Sequence, residues 1–261
     1  MDNRAIGMFD SGVGGVTVLK EVIKNNINED IIYLGDTKRF PYGSKSKESI
    51  IELTKKGIDF LISKNVKAVI IACGTATSQA LEEMRKIYNI PIIGIIEPTV
   101  NYIKEKENLR NIGIIATSGT IRSMGWQTSI LKQIPEAKIK NKACPLLAPM
   151  AEEGWTNNEI AKLTIKEYLK EIKDIDCLVL GCTHYPLFKD LIIKELDEKV
   201  EIINTGEMVS KNLEEILKMY NIQNELNNKG SYEIYLTDTE TNFVNVAGRL
   251  LENKDIKIRE C

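Results

Sequence analysis

Cys177-Leu178-Val179-Leu180-Gly181-Cys182-Thr183-His184-Tyr185-Pro186 decides how the chain is read. Four apolar residues run into a glycine, a cysteine and a threonine, and the stretch carries the only histidine of the 261 residues. Val69-Ile70-Ile71-Ala72-Cys73-Gly74-Thr75 has the same design. A short, unbroken apolar run closed by small residues reads as a buried strand of a parallel sheet. Each cysteine therefore stands just past the carboxyl end of a strand, where open α/β sheets bind their ligands. We expect Cys73 and Cys182 to face each other across one active site.

The flanking sequence supports an alternation of strands and helices. Residues 4–9 predict a strand, followed by the turn Asp10-Ser11-Gly12-Val13-Gly14-Gly15 and a helix over 17–24. The turn lacks the Gly-Lys-Ser/Thr ending of a phosphate-binding loop. Alone, it reads equally as a capped strand-to-helix connection. A strand over 30–34 ends at Gly35-Asp36, and a helix follows, opening at Ser46 and running to about Ser63. Between them, Pro41-Tyr42-Gly43 is either a rigid turn or a substrate loop with free backbone N–H groups. Strands over 66–72 and 91–96, the latter ended by Glu97-Pro98, bracket a helix over 78–88. Such alternation implies a parallel sheet with right-handed crossovers.

At Arg110 the pattern restarts. Arg110-Asn111-Ile112-Gly113-Ile114-Ile115 parallels Arg4-Ala5-Ile6-Gly7-Met8-Phe9, and Ala116-Thr117-Ser118-Gly119 stands where Asp10-Ser11-Gly12 stood. Gly7 to Cys73 is 73 − 7 = 66 positions, and Gly113 to Cys182 is 182 − 113 = 69. This is the mark of an internal duplication. The expected fold is α/β, with two pseudo-symmetric parallel-sheet, flavodoxin-like domains and the site in the cleft between them. Residues 1–97 plus 207–261 form the Cys73 domain and 98–206 the Cys182 domain. The C-terminal segment predicts a helix over 208–219, a strand over 232–237 and a helix over 242–251, packed back on the first half. Glu97-Pro98 and the region near Thr205 are the candidate hinges.

Composition narrows the functions. A net charge of −2 gives no basic field for nucleic acid or acidic lipid, and aromatic content of 6% offers few base-stacking platforms. No apolar run nears the roughly 20 residues that span a bilayer. Met1-Asp2-Asn3-Arg4 leads into the first apolar run without the design of a signal peptide. The five cysteines, at 73, 144, 177, 182 and 261, are odd in number and form no C-x-x-C. That points to reduced thiols in a cytoplasm, with no disulfide frame and no metal site.

Cys144 and Cys177 read as buried structural cysteines, and Cys261 is terminal. Cys73 and Cys182 recur at equivalent places with polar neighbours. A thiol before a helix start lies near N–H groups that favour its thiolate. Two thiols flanking one carbon can invert a stereocentre without a cofactor: one removes a proton and the other returns one to the opposite face. Each base needs a partner, and Asp10 for Cys73 and His184 for Cys182 are the candidates. His184 could equally be a structural histidine. A Cys-His hydrolase would leave Cys73 unexplained, and a redox dithiol fits poorly with such distant cysteines.

These motifs together resemble glutamate racemase. The carriers are Asp10-Ser11-Gly12-Val13-Gly14-Gly15, Gly35-Asp36 with Pro41-Tyr42-Gly43, Ala72-Cys73-Gly74-Thr75, Ile96-Glu97-Pro98 and Gly181-Cys182-Thr183-His184-Tyr185-Pro186-Leu187, across nearly the whole chain. The resemblance implies a cytoplasmic, cofactor-independent homodimer that interconverts L- and D-glutamate and supplies D-glutamate for peptidoglycan. It implies that Cys73 deprotonates the D-enantiomer with help from Asp10, and Cys182 the L-enantiomer with help from His184. Glu152 matches a further acidic residue of that site, with a solvated surface position as the alternative. Ser11, Thr75, Thr117 and Thr183 would hold the amino and carboxylate groups, with Pro41, Tyr42 and Gly43 at the loop.

One position departs from the pattern: Gly74 stands where the family usually has asparagine. The missing side chain removes a substrate contact, and a water could take part of its space. Restoring asparagine is expected to leave activity equal or higher. Two further readings follow: a low-activity or catalytically retired paralog that binds an amino acid or a protein partner, and a racemase for aspartate or another small amino acid.

Overall fold

The computed structural model describes residues 2–25, 28–225, 230–252 and 257–261. Positions 226–229 and 253–256, within the C-terminal segment assigned above to the first domain, lie outside the described residues.

Two parallel sheets form the frame. In the first, β1 (Ile6–Asp10) lies between β2 (Ile31–Gly35) and β3 (Ala68–Ile71), with β4 (Ile92–Gly94) beyond β3. In the second, β5 (Asn111–Ala116) lies between β6 (Lys138–Ala143) and β7 (Cys177–Leu180), with β8 (Glu201–Asn204) beyond β7. The orders β2-β1-β3-β4 and β6-β5-β7-β8 are the same arrangement twice. Gly7 pairs with Val69 and Gly113 with Leu178, so the two repeated Ile-Gly strands sit in matching registers beside the strands that lead to the cysteines. The first sheet is extended by β9 (Tyr232–Leu236), paired to β2, and by β10 (Ile258–Glu260).

The central strands β1, β3 and β7 are buried throughout, as both-face coverage by helices requires. Edge strand β6, Lys138-Ile-Lys-Asn-Lys-Ala, is largely exposed. Its alternating lysines blunt an open edge, and they also hide it from a search for apolar runs.

The helix after Cys73 starts earlier than the sequence predicts. It is α3 (Gly74–Ile87), with Cys73 itself as the N-cap, and it follows α1 (Val16–Lys24) and α2 (Lys47–Ser63). Glu97-Pro98 is not the end of a strand. β4 stops at Gly94, and both residues belong to the first turn of α4 (Ile96–Glu105). Proline is tolerated there because N–H groups of the first turn have no intrahelical acceptor. Arg85 grips Glu97 with two 2.6 Å bonds, so this hinge candidate is a pinned helix start. Thr205 opens the later helix Thr205–Met219, where Asn204 Oδ1 accepts from Gly206 N. Among the described residues no helix is long and apolar enough to cross a membrane.

Candidate active site

A cavity of about 260 Å³ opens where the carboxyl ends of the two sheets meet, and both Cys73 and Cys182 line it. The first sheet also brings Ser11 and the loop Phe40 to Ser44, while the second brings Thr117, Thr183 and His184. Cys73 is 5% exposed and Cys182 6%, so both residues are buried while bordering the cavity. Cys144 and Cys177 are buried elsewhere, and Cys261 is exposed.

The surroundings of the two thiols differ. Cys182 Sγ lies 3.6 Å from His184 Nδ1, and His184 Nε2 lies 2.7 Å from Glu152 Oε1. Burial opposes charge on the imidazole, but its bonds to Cys182 and Glu152 outweigh burial and hold it well above the usual 6.5. Glu152 is no surface carboxylate. It lies at the end of the helix Leu147–Glu152 and also accepts from Val13 N at 2.8 Å. A run Ala-Glu-Glu-Gly has no pattern that marks its first glutamate as interior; only the fold carries it to His184.

Cys73 Sγ has a hydroxyl as its partner: Ser11 Oγ at 3.6 Å. Asp10 does not bond the sulfur. Its carboxylate accepts from Gly12 N at 3.0 Å and from Thr183 Oγ1 at 3.1 Å. Burial raises Asp10 to about 6, although the charge of His184 works against this. Burial, and then the negative charge of Asp10, push the Cys73 thiol up to about 12. Neither Asp10 nor Glu152 lines the cavity; both stand behind residues that do.

The Gly-rich turn after β1 also has a structural reason. A Cβ at Gly12 would lie 2.2 Å from Glu152 Oε1, and one at Gly14 would lie 2.5 Å from His184 Nδ1. These glycines let the acid-imidazole pair of the second sheet dock on the first.

Hydroxyls span the cleft. Thr75 Oγ1 is 2.8 Å from Thr117 Oγ1, and Thr120 Oγ1 is 3.1 Å from the first and 3.0 Å from the second. Gly119 N donates to Gly43 O at 2.8 Å, which ties the loop of the first sheet to the second. Tyr42 lines the cavity, and its hydroxyl donates to Asp36 Oδ2 at 2.7 Å. Pro41 and Gly43 also line the cavity.

Gly74 borders the cavity too, yet no open space stands where a side chain would be. A Cβ at Gly74 would lie 2.2 Å from Gly181 O, so backbone of the other sheet fills the position expected to hold water.

The sequence reading missed Thr120, Ser118 and Arg122. Ser118 directly follows Thr117, which occupies in the repeat the place of Ser11. Arg122 also lines the cavity, and nothing in its local sequence marks it. Among the described residues no group of three His, Cys, Asp or Glu side chains is placed to hold a metal ion.

Two like α/β halves close on one cavity, with a strand-end cysteine from each, and it is the likeness to known proteins that defines the class as an amino-acid racemase. The family described as Asp/Glu/Hydantoin racemase matches residues 17–211. The chain is 40% identical to the glutamate racemase of Geobacter metallireducens over 253 residues, 96% of this chain and 94% of that one. Its structure is similar to that of glutamate racemase from Francisella tularensis in complex with D-glutamate. The TM-score there is 0.91 at 38% identity, covering 100% of this chain and 98% of the other. It is also similar to glutamate racemase isoform RacE1 from Bacillus anthracis, with a TM-score of 0.95 at 33% identity and the same coverage. The chain belongs to the Asp/Glu/Hydantoin racemase family.

Proposed function

We propose that the protein racemises glutamate by proton transfer between Cys73 and Cys182, with no cofactor. The observation that carries this is the pair of enclosed thiols in one small cavity, each with its own polar partner. L-Glutamate lies with its α-carbon between the sulfurs. The Cys182 thiolate takes the α-proton, and the Cys73 thiol delivers its own proton to the opposite face, which gives D-glutamate. In the reverse direction the roles exchange. The charge balances: one thiolate and one thiol enter, and one of each leaves.

The helpers suit these roles. A protonated imidazole within reach of a sulfur favours thiolate over thiol. His184 is kept protonated and oriented by Glu152. Cys73, pushed up to about 12, is a proton donor at neutral pH until the carbanion forms. Asp10 reaches it through charge and through the Ser11 turn. Thr75, Thr117, Thr183 and Ser11 present hydroxyls for the carboxylate and amino groups. Enclosure raises the value of each such contact by excluding water.

The product would supply peptidoglycan synthesis in the cytoplasm, from a homodimer whose protomers divide into residues 1–97 plus 207–261 and 98–206. A retired, binding-only paralog is disfavoured by the complete sets Cys73-Ser11-Asp10 and Cys182-His184-Glu152. The test is circular dichroism of L-glutamate with wild type, Cys73→Ser and Cys182→Ser. Wild type should drive the signal to zero, and each single change should impair this strongly. Full activity with either cysteine replaced would end the two-base reading.

A further inference from the structure

We infer that Gly74 is a positioning residue: its bare backbone, seated on the carbonyl of Gly181, sets the separation of the two cysteines. The inference rests on the two-base reading above.

Gly74 is the first residue of α3 and directly follows Cys73. Gly181 directly precedes Cys182. The contact between them is therefore one peptide unit from each sulfur-bearing residue, and it joins the two halves. Conformation does not demand glycine at 74. Among the described residues only Gly154 is a glycine with positive φ, so alanine could adopt the backbone of Gly74. Space is what excludes a side chain: a Cβ would lie 2.2 Å from Gly181 O and 3.3 Å from its carbonyl carbon.

Neither side can retreat cheaply. Gly181 N donates to Ile115 O at 2.8 Å. Gly181 is itself closely packed: a Cβ there would lie only 3.0 Å from both Ile115 O and Trp126 Nε1. Trp126 is fully buried. On the other side, Thr77 N donates to Cys73 O at 2.8 Å and locks the first turn of α3. A methyl group at 74 must move backbone, and a normal contact of at least 3.0 Å needs a displacement of roughly 1 Å. That displacement separates the two cysteine-bearing strand ends, so the carbanion formed at one thiol is too far from the other.

The test is Gly74→Ala, assayed with glutamate in heavy water. Inversion is followed by circular dichroism, and exchange of the α-proton without inversion by NMR. Misplacement of about 1 Å at a reacting centre can cost about 100-fold, so kcat for inversion should fall by about that factor in both directions while KM changes little. Exchange at the near thiol survives, so the ratio of exchange with retention to inversion should rise at least about tenfold. The ratio does not depend on the folded fraction, and a merely structural defect would lower both rates together. Gly74→Asn should act in the same direction, contrary to a simple restoration of the family pattern. Wild-type activity with an unchanged ratio in Gly74→Ala overturns the spacer role alone. A wild type that neither exchanges nor inverts glutamate overturns the two-base reading and the spacer with it.

Discussion

His184 Nε2 lies 2.7 Å from Glu152 Oε1, and the opposite ring nitrogen lies 3.6 Å from Cys182 Sγ. One imidazole thus couples a carboxylate at a helix end to the thiol of the second half. Replacing Glu152 by glutamine keeps an acceptor and removes only the charge. A hydrogen bond to a charged group contributes about 1.5–3 kcal/mol, so Glu152→Gln should lower kcat/KM roughly 10- to 100-fold. Steady-state assays in both directions check this; unchanged kinetics would leave Glu152 a bystander.

The same histidine makes stability depend on pH. Its folded value is raised above 6.5, so the folded state binds the proton more tightly than the unfolded chain. Its contribution is complete below about pH 6.5 and is lost as pH rises through the folded value. Glu152→Gln should therefore lower the melting temperature more at pH 6.5 than at pH 10.

Asp10 shifts in the same direction, but from an acid's starting value. Its value rises from 3.8 to about 6, so the folded state again prefers the protonated form, but here the preference is a cost at working pH. The favourable contribution is present below about pH 3.8 and lost as pH rises through about 6. A difference of about 2.2 pH units corresponds to roughly 3 kcal/mol of stability forgone at pH 8. Asp10→Asn should raise the melting temperature at pH 8, raise it less at pH 5, and reduce turnover. No stabilisation at pH 8 would count against a carboxylate held there under electrostatic strain.

Cys73 should be slow to alkylate. A thiol pushed up to about 12 is almost wholly protonated at pH 8, and the thiolate is the nucleophile. Iodoacetamide labelling of Cys73, read by mass spectrometry without substrate, should still be accelerating at pH 10. A plateau below pH 9 would contradict it.

Far from the site, Lys67 Nζ bonds Glu29 Oε2 at 2.5 Å and Asp2 O at 2.6 Å, with both charged side chains almost wholly buried. Breaking a buried pair by removing one partner costs about 3–5 kcal/mol. Lys67→Met should lose stability on that scale in chemical denaturation while kcat stays within about twofold of wild type. A matching loss of kcat would tie this end of the sheet to the cleft.

The sequence by itself determined the alternation of buried strands and helices, the internal repeat, and the two strand-end cysteines with His184 beside one of them. Those features are local: apolar runs, small residues at strand ends and a two-residue spacing are visible along the chain. It named Asp10 and Glu152 as candidates without the atoms they meet, and it read Gly74 as an empty place. Glu152 is brought to His184 by a helix end 32 positions away, and Asp10 turns to Thr183 across 173 positions rather than to Cys73. Edge strand β6 escaped notice because half its face is solvated and carries lysine. Gly74 looked like a lost side chain, and only the packing of one half on the other shows the Gly181 carbonyl in its place. Periodicity records what each segment buries. It does not record which atoms of the opposite half arrive there, and in this protein those atoms decide how the two thiols are spaced and charged.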